Sequence, residues 1–214
     1  MEARIGVRFP IPSEQEGGST AKEQTMENLS TFQREFLWEL EIPRKQVTAI
    51  AEAVPEEAYD WRPAEDTRTF SAVLVHIAAG NLMLLFRADV VSPEVMRLCG
   101  SLEGDGIAQW LALVRKSFDL ERTVTRKEAV LELVKNSFDA VQEAIKRADP
   151  EQLERTRDLF GELTTYRRVF LRILAHADEH MGQAIAYART MGFHAPWPDP
   201  LKSMEEMVAN TAAG

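Results

Sequence analysis

The segment YRRVFLRILAHADEHMGQAIAYARTMG, residues 166–192, decides the fold of this chain. Its apolar residues recur every three or four positions, a spacing typical of a helix with one buried face. The predicted stripe contains Val169, Ile173, Ala177, Ala184 and Tyr187. Gly192 stands where a glycine commonly ends a helix. The pattern therefore predicts a long helix from about residue 163 to residue 191.

Helical periodicity also occurs three times before this segment. The first long helix is predicted over residues 25–54 and contains Pro43. We expect this proline to kink or divide the helix, because it cannot donate a backbone hydrogen bond and clashes with the preceding turn. A second helix is predicted over residues 69–89, and a short one follows Ser92, which precedes Pro93 as a cap precedes a first helical residue.

The middle of the chain supplies the remaining elements. A glycine-rich loop is predicted at residues 100–106, followed by a short helix over residues 107–118. Thr125 and Glu128 have the spacing of a capping box, so the third long helix should begin there and end near residue 148. Four long helices joined by loops of varied length favour an all-α fold, a four-helix bundle with short extra helices.

The domain organisation follows from where this periodicity begins and ends. Residues 1–24 contain several glycines and prolines and are predicted to be a flexible N-terminal tail. Residues 25–200 should form the bundle, and residues 201–214 a flexible C-terminal extension.

Composition excludes several classes of function. The 214 residues carry a net charge of -9, which disfavours a nucleic-acid-binding protein because such a protein needs a basic surface. The single cysteine, Cys99, excludes an internal disulfide and a cysteine-rich zinc site, and is expected to be a small buried residue rather than a nucleophile. No stretch resembles a membrane span or a signal peptide, so we expect a cytoplasmic protein with no membrane contact.

Two of the four histidines, His176 and His180, are candidate metal ligands. Residues four apart lie on the same face of a helix, so both imidazoles can reach one ion from the predicted buried stripe. The spacing also arises by chance, and the pair alone fits either a metal site or two hydrogen-bonded core side chains.

His76 strengthens the metal interpretation, because it lies in the predicted second helix among apolar residues. Three imidazoles from two helices leave a coordination position open, as in catalytic sites. Gly80, one turn later, would either make room for a ligand or allow two helices to pack closely. His194 lies after the last helix and is predicted to be exposed, and Asp178 and Glu179 are expected to be solvated or to support the ligands indirectly.

Two known metal-site patterns do not fit. Glu179 is adjacent to His180 and points about 100° away from it on a helix, so the general base of an H-E-x-x-H metalloprotease is misplaced. No histidine has a glutamate three positions before it, which excludes the ferritin-like di-iron pattern.

The order of the motifs resembles that of the DinB/YfiT-like family of helical-bundle metalloenzymes. The matching features are Asp60-Trp61-Arg62-Pro63, Phe70-Ser71 with His76-Ile77-Ala78, His176-x-x-x-His180-x-Gly182-Gln183, and Tyr187-x-Arg189-x-x-Gly192. They span about residues 27–194. Phe70 stands where the family often has tryptophan.

The resemblance implies a four-helix bundle, often a homodimer, with one divalent metal ion on His76, His176 and His180. The ion would be zinc or nickel, with iron or manganese as alternatives. Some members of the family are thiol-S-transferases that act with low-molecular-weight thiols such as bacillithiol or mycothiol, and many others have no known reaction.

Two classes of function therefore stay open. The first is a metal-dependent enzyme acting on a small molecule, either a thiol-S-transferase or a hydrolase, in which Trp61, Arg62 or Gln183 would assist. The second is a non-catalytic module, either one that binds a metal or ligand or a dimeric structural bundle.

Overall fold

The computed structural model describes residues 28–100, 106–159, 161–197, 204–205 and 207–210. The predicted N-terminal tail 1–24, nearly all of the predicted glycine-rich loop and most of the predicted extension 201–214 lie outside these residues. The helices and strands, in chain order, are α1 (Thr31–Ala53), a 3₁₀ turn (Glu56–Ala58), α2 (Phe70–Arg87), α3 (Pro93–Cys99), α4 (Gly106–Thr123), α5 (Lys127–Arg147), α6 (Pro150–Leu153), β1 (Thr156–Leu159), β2 (Glu162–Thr165) and α7 (Tyr166–Thr190).

The four long helices predicted from the sequence are α1, α2, α5 and α7, and the all-α fold is confirmed. The apolar helix α2 lies at the centre, where it packs against α7, α5, α4 and α3. Helix α1 completes the bundle by packing against α5 and α7. The arrangement places α2 and α7 side by side, which brings the sequence around His76 next to the sequence around His176.

Helix α2 also corrects one expectation about membranes. By length and mean hydropathy it could span a bilayer, although the sequence was expected to contain no such stretch. Of its 18 residues, 78% are buried inside the bundle, and the core helix of a soluble protein can have the same length and apolar composition. Its apolar character is therefore explained by its central position, since neighbouring helices cover it on several sides.

Local hydrogen bonds explain most helix boundaries. The Thr69 hydroxyl accepts from the backbone N–H of Ala72 at the start of α2, and the Ser92 hydroxyl caps α3 as predicted. The capping box predicted at Thr125 and Glu128 is wrong: α5 begins at Lys127, with no side-chain cap at the preceding residue. Gly192 ends α7 with a φ of 89°, a conformation that favours glycine.

The structure differs from the prediction in three other places. Pro43 does not divide α1, which is continuous and buries this residue. Helix α4 continues past the predicted end at Phe118 to Thr123. The predicted start of α7 at Leu163 is wrong, because residues 156–165 form an antiparallel hairpin that turns at Gly161, with a φ of 88°.

Gln33 joins the start of α1 to the end of α5. Its side-chain oxygen accepts from the Ser30 backbone N–H, while its amide nitrogen donates to the carbonyls of Ile145 and Ala148 at 2.7 and 3.0 Å. The residue is only 2% exposed. One amide therefore satisfies three backbone groups at the ends of two helices that are far apart in sequence.

We expect Gln33→Leu to lower the free energy of unfolding by about 2 kcal/mol or more, because it removes three hydrogen bonds to backbone groups that are buried or partly buried. Urea denaturation followed by circular dichroism measures the change. Glu35→Leu, on the exposed side of the same helix, should change stability much less. Equal effects of the two substitutions would contradict the role of Gln33.

Candidate metal centre

Three histidines from two helices meet at one point in the bundle. His76 lies on α2, and His176 and His180 lie one turn apart on α7. One ring nitrogen from each lies within 4.8 Å of the other two, and the ring centroids are 4.5 to 4.9 Å apart. The Nε2 atoms of His76 and His176 are 3.2 Å apart. The structure thus brings together all three residues that the sequence proposed as ligands.

Gly80 permits this close approach of α2 and α7. A Cβ atom at this position would lie 2.2 Å from Cε1 of His176, far inside van der Waals contact. Close packing, one of the two roles predicted for Gly80, is therefore observed, and the packed group is the imidazole itself. Gly80 also lines the small cavity beside His76 and His176, which is compatible with the other predicted role, room for a ligand.

Glu121 fixes the orientation of His76. Nδ1 of His76 lies 2.8 Å from Oε1 of Glu121, and the Arg68 guanidinium donates to the other carboxylate oxygen at 2.7 Å. Burial raises the pKa of Glu121, but the hydrogen bonds from His76 and Arg68 outweigh it and lower the pKa overall. The carboxylate is therefore ionised and accepts the proton on Nδ1, which leaves the Nε2 lone pair of His76 directed at the other histidines.

Gln183 has the same function for His180. Its Oε1 lies 2.9 Å from Nδ1 of His180, and its amide nitrogen donates to the Tyr187 hydroxyl at 3.1 Å. The edge of Trp61 packs on Tyr187, with 5.5 Å between ring centroids. Two of the three imidazoles are thus held from outside with one nitrogen left for a ligand.

The third histidine, His176, is half-buried like the other two. Burial, followed by the charges of His76 and His180, lowers its pKa to about 3. Its Nδ1 atom is buried and has no hydrogen-bond partner among the described residues. The imidazole is therefore neutral at physiological pH, the protonation state that metal binding requires.

These features fit a divalent metal ion. Zinc binds imidazole nitrogens at 2.0–2.1 Å, so two nitrogens on one tetrahedral ion lie about 3.3 Å apart, close to the separation of the His76 and His176 Nε2 atoms. Carboxylate and amide oxygens on the outer ring nitrogens are the usual support of metal-binding histidines. A small, mostly apolar cavity borders His76 and His176, so the three histidines do not enclose the position between them.

Other candidate residues lie away from this centre. His194, Asp178 and Glu179 are exposed, as predicted for His194. Arg62 is also exposed and donates to the Glu65 carbonyl rather than to the histidines. Cys99 is fully buried in α3, and burial raises its pKa to about 12, which excludes a reactive thiolate at neutral pH.

Glu121 and Arg68 were missed by the sequence analysis. The predicted helix over residues 107–118 ended before Glu121, which hid its place in the pattern. In the full helix, Trp110, Val114, Ser117 and Glu121 follow one another at intervals of three or four. A carboxylate on a helix face that is otherwise apolar or small would have indicated a buried partner.

We expect Gly80→Ala to destabilise the metal-free protein by about 1–3 kcal/mol, because the added methyl group overlaps the His176 ring. Gly182→Ala is the matched control, since its Cβ would meet nothing within 4 Å and alanine favours helix. Urea denaturation of both variants measures the difference. Equal stabilities would show that α2 and α7 are not in this contact.

The low pKa of His176 also predicts acid sensitivity. An unfolded histidine takes up a proton near pH 6.5, whereas the folded one resists protonation until about pH 3. The contribution of this residue to stability is thus complete above pH 6.5 and falls by up to about 1.4 kcal/mol per pH unit below it. Metal-free protein should lose stability more steeply from pH 6.5 to pH 4.5 than its His176→Gln variant, whereas His194→Gln should follow the unmodified protein.

The chain was compared with known families, sequences and structures. The DinB superfamily matches residues 39–184. No curated protein sequence matches the chain. A crystal structure of a DinB-like protein from Bacillus cereus ATCC 10987 is similar with a TM-score of 0.57 and 15% identity, covering 77% of this chain and 95% of that one. A DinB-like protein (YjoA) from Bacillus subtilis has a TM-score of 0.47 and 17% identity, with 77% and 96% covered. With more than half of its length matched, and with the bundle described above, this chain belongs to the DinB superfamily.

Proposed function

We propose that this protein binds one divalent metal ion, zinc or nickel, through His76, His176 and His180, and uses it to activate a small molecule. The observation that carries the proposal is the support of the histidines from outside: Glu121 on His76 and Gln183 on His180 each leave one nitrogen for an ion. Hydrogen-bonded core histidines could also have such outer partners, but they would not need to bring one nitrogen from each of three rings within 4.8 Å of the others.

The reaction class follows from the open side of the site. A bound divalent ion lowers the pKa of a thiol or water attached to it, which supplies a nucleophile near neutral pH. Glu121 keeps the proton on Nδ1 of His76, and Arg68 keeps Glu121 ionised. Apolar side chains make up much of the cavity lining on this face. These roles suit a metal-dependent transferase acting on low-molecular-weight thiols, or a hydrolase.

One observation favours a non-catalytic alternative. Glu121 accepts hydrogen bonds from His76, Arg68 and Ser117 and has a lowered pKa, so it is a poor general base. Among the described residues that line the cavity, the titratable side chains are two histidines of the site and two arginines. A metal-binding or ligand-sensing module needs no further acid or base. Assays of thiol transfer and hydrolysis distinguish this alternative from an enzyme.

The proposal extends to the state of the molecule in the cell. We place it in the cytoplasm as a homodimer without nucleic-acid or membrane partners. Trp38, Ile42 and Leu171 on α1 and α7 are apolar and exposed, which suits a contact with a second copy. Light scattering after size-exclusion chromatography measures the mass in solution.

Protein purified without a metal-affinity tag should contain about one ion per chain by elemental analysis. His176→Ala should lose the ion and His194→Ala should keep it, because only the first is in the cluster. Loss of thiol transfer to an electrophile in the first variant and its retention in the second would support the enzyme. Stoichiometric metal without transfer or hydrolysis would support the binding module. Equal metal content in the two variants would contradict both the enzyme and the binding module.

Glu121→Gln should weaken zinc binding by about 10–100-fold while the bundle stays folded, because the amide carries no charge to stabilise the His76 proton. Competition with a chromogenic chelator measures the affinity. Glu128→Gln, exposed on α5, is the matched control and should bind zinc like the unmodified protein. Unchanged affinity in Glu121→Gln would remove this residue from the metal site.

A further inference from the structure

The cavity beside His76 and His176 has an unusual combination of surfaces. Its volume is about 250 Å³, below the roughly 300–1,000 Å³ of sites for drug-sized ligands. Much of its lining is apolar and comes from α2 and α4: Met83, Leu84, Trp110, Val114 and Phe118. A cavity of this size and lining fits a small molecule with a compact apolar or aromatic body.

The charge at this cavity has one sign. Arg68 and Arg172 line it, and no carboxylate is among its described lining residues. Arg68 is already neutralised by Glu121 at 2.7 Å. Arg172 pairs only weakly with Glu179, at 3.6 Å and with both side chains more than a third exposed. Arg172 is therefore the cation with charge to offer a ligand.

Arg172 also lies in the right place relative to the histidines. It precedes His176 by four residues on α7, so both side chains are on the same face of the helix, one turn apart. A molecule whose anionic end pairs with Arg172 has its body among the apolar residues, beside the histidine cluster.

A neighbouring cleft does not have this purely cationic set of charged lining residues. It is wider, about 850 Å³, and it is lined by charged groups of both signs, including Asp60, Asp66, Arg62 and Arg122. It borders Glu121 and Gln183 but not the three histidines. Only the smaller of these two cavities lies beside the proposed metal ligands, so it is the one that can select a molecule there by its charge.

We propose that this cavity binds a small organic anion with an apolar body, oriented by Arg172 so that the body lies against the histidine cluster. The inference rests on the proposed function, since it names the substrate class of that same site. Because Arg172 is not one of the three proposed ligands, the anion selectivity can be measured with and without metal.

The test uses three aromatic probes of similar size: phenylacetate, its neutral isostere phenylacetamide, and phenethylamine. Calorimetric titration of zinc-loaded and of metal-stripped protein measures each affinity. We expect phenylacetate to bind about tenfold or more tighter than the amide in both forms, and phenethylamine to bind most weakly. Arg172→Gln should remove the preference for the acid, and Arg168→Gln, exposed on the same helix, should retain it.

Val114→Trp provides a second arm, because it fills the cavity without changing its charge, and it should abolish binding of acid and amide alike. Circular dichroism verifies that each variant is folded. Equal binding of acid and amide, a preference that survives Arg172→Gln, or no binding of any probe would each overturn the proposal.

The two proposals fail separately. If the metal-stripped protein selects phenylacetate through Arg172 but takes up no zinc, the cavity assignment holds and the metal function fails. If selection occurs only in zinc-loaded protein and survives Arg172→Gln, the carboxylate binds the metal, which overturns the role of Arg172 and leaves the metal site intact.

Discussion

The contact between the backbone of α2 at Gly80 and the ring of His176 is the constraint on which the site depends. It sets how near α2 and α7 lie, and thereby how near His76 lies to the histidines of α7. Any side chain at residue 80 would push the helices or the ring apart. The histidine cluster is therefore a product of helix packing as much as of the histidines themselves.

Around this contact, the polar groups form an inner set, the three histidines, and an outer set of side chains that hold them. The histidine nitrogens that face one another are left for a ligand, whereas the outward nitrogens of His76 and His180 are bound by Glu121 and Gln183. These partners are held in turn by Arg68 and Tyr187. Each of these contacts restricts the next side chain, so the three imidazoles are held in place within a largely apolar bundle.

Much of the fold was predictable because the apolar periodicity of the long helices is strong. The same pattern identified His76, His176 and His180, since all three lie within or beside buried stripes. It could not identify Glu121, because its relation to His76 is a contact between residues 45 positions apart. The hairpin formed by β1 and β2 was missed for a different reason. Strand β2 leads directly into α7, so the helix was predicted to start at Leu163, inside that strand. Gly161 is the turn residue that separates the two strands.

The central position of α2 has a consequence for how the chain emerges from the ribosome. This most apolar helix ends at Arg87, whereas the helices that cover it, α5 and α7, are completed only at Arg147 and Thr190. At about 5–20 residues per second, translation leaves α2 without its last neighbour for roughly 5–20 s. During that interval the face of α2 that packs against α7 is uncovered, so an apolar surface with the hydropathy of a membrane span stays partly exposed until the last helix is complete.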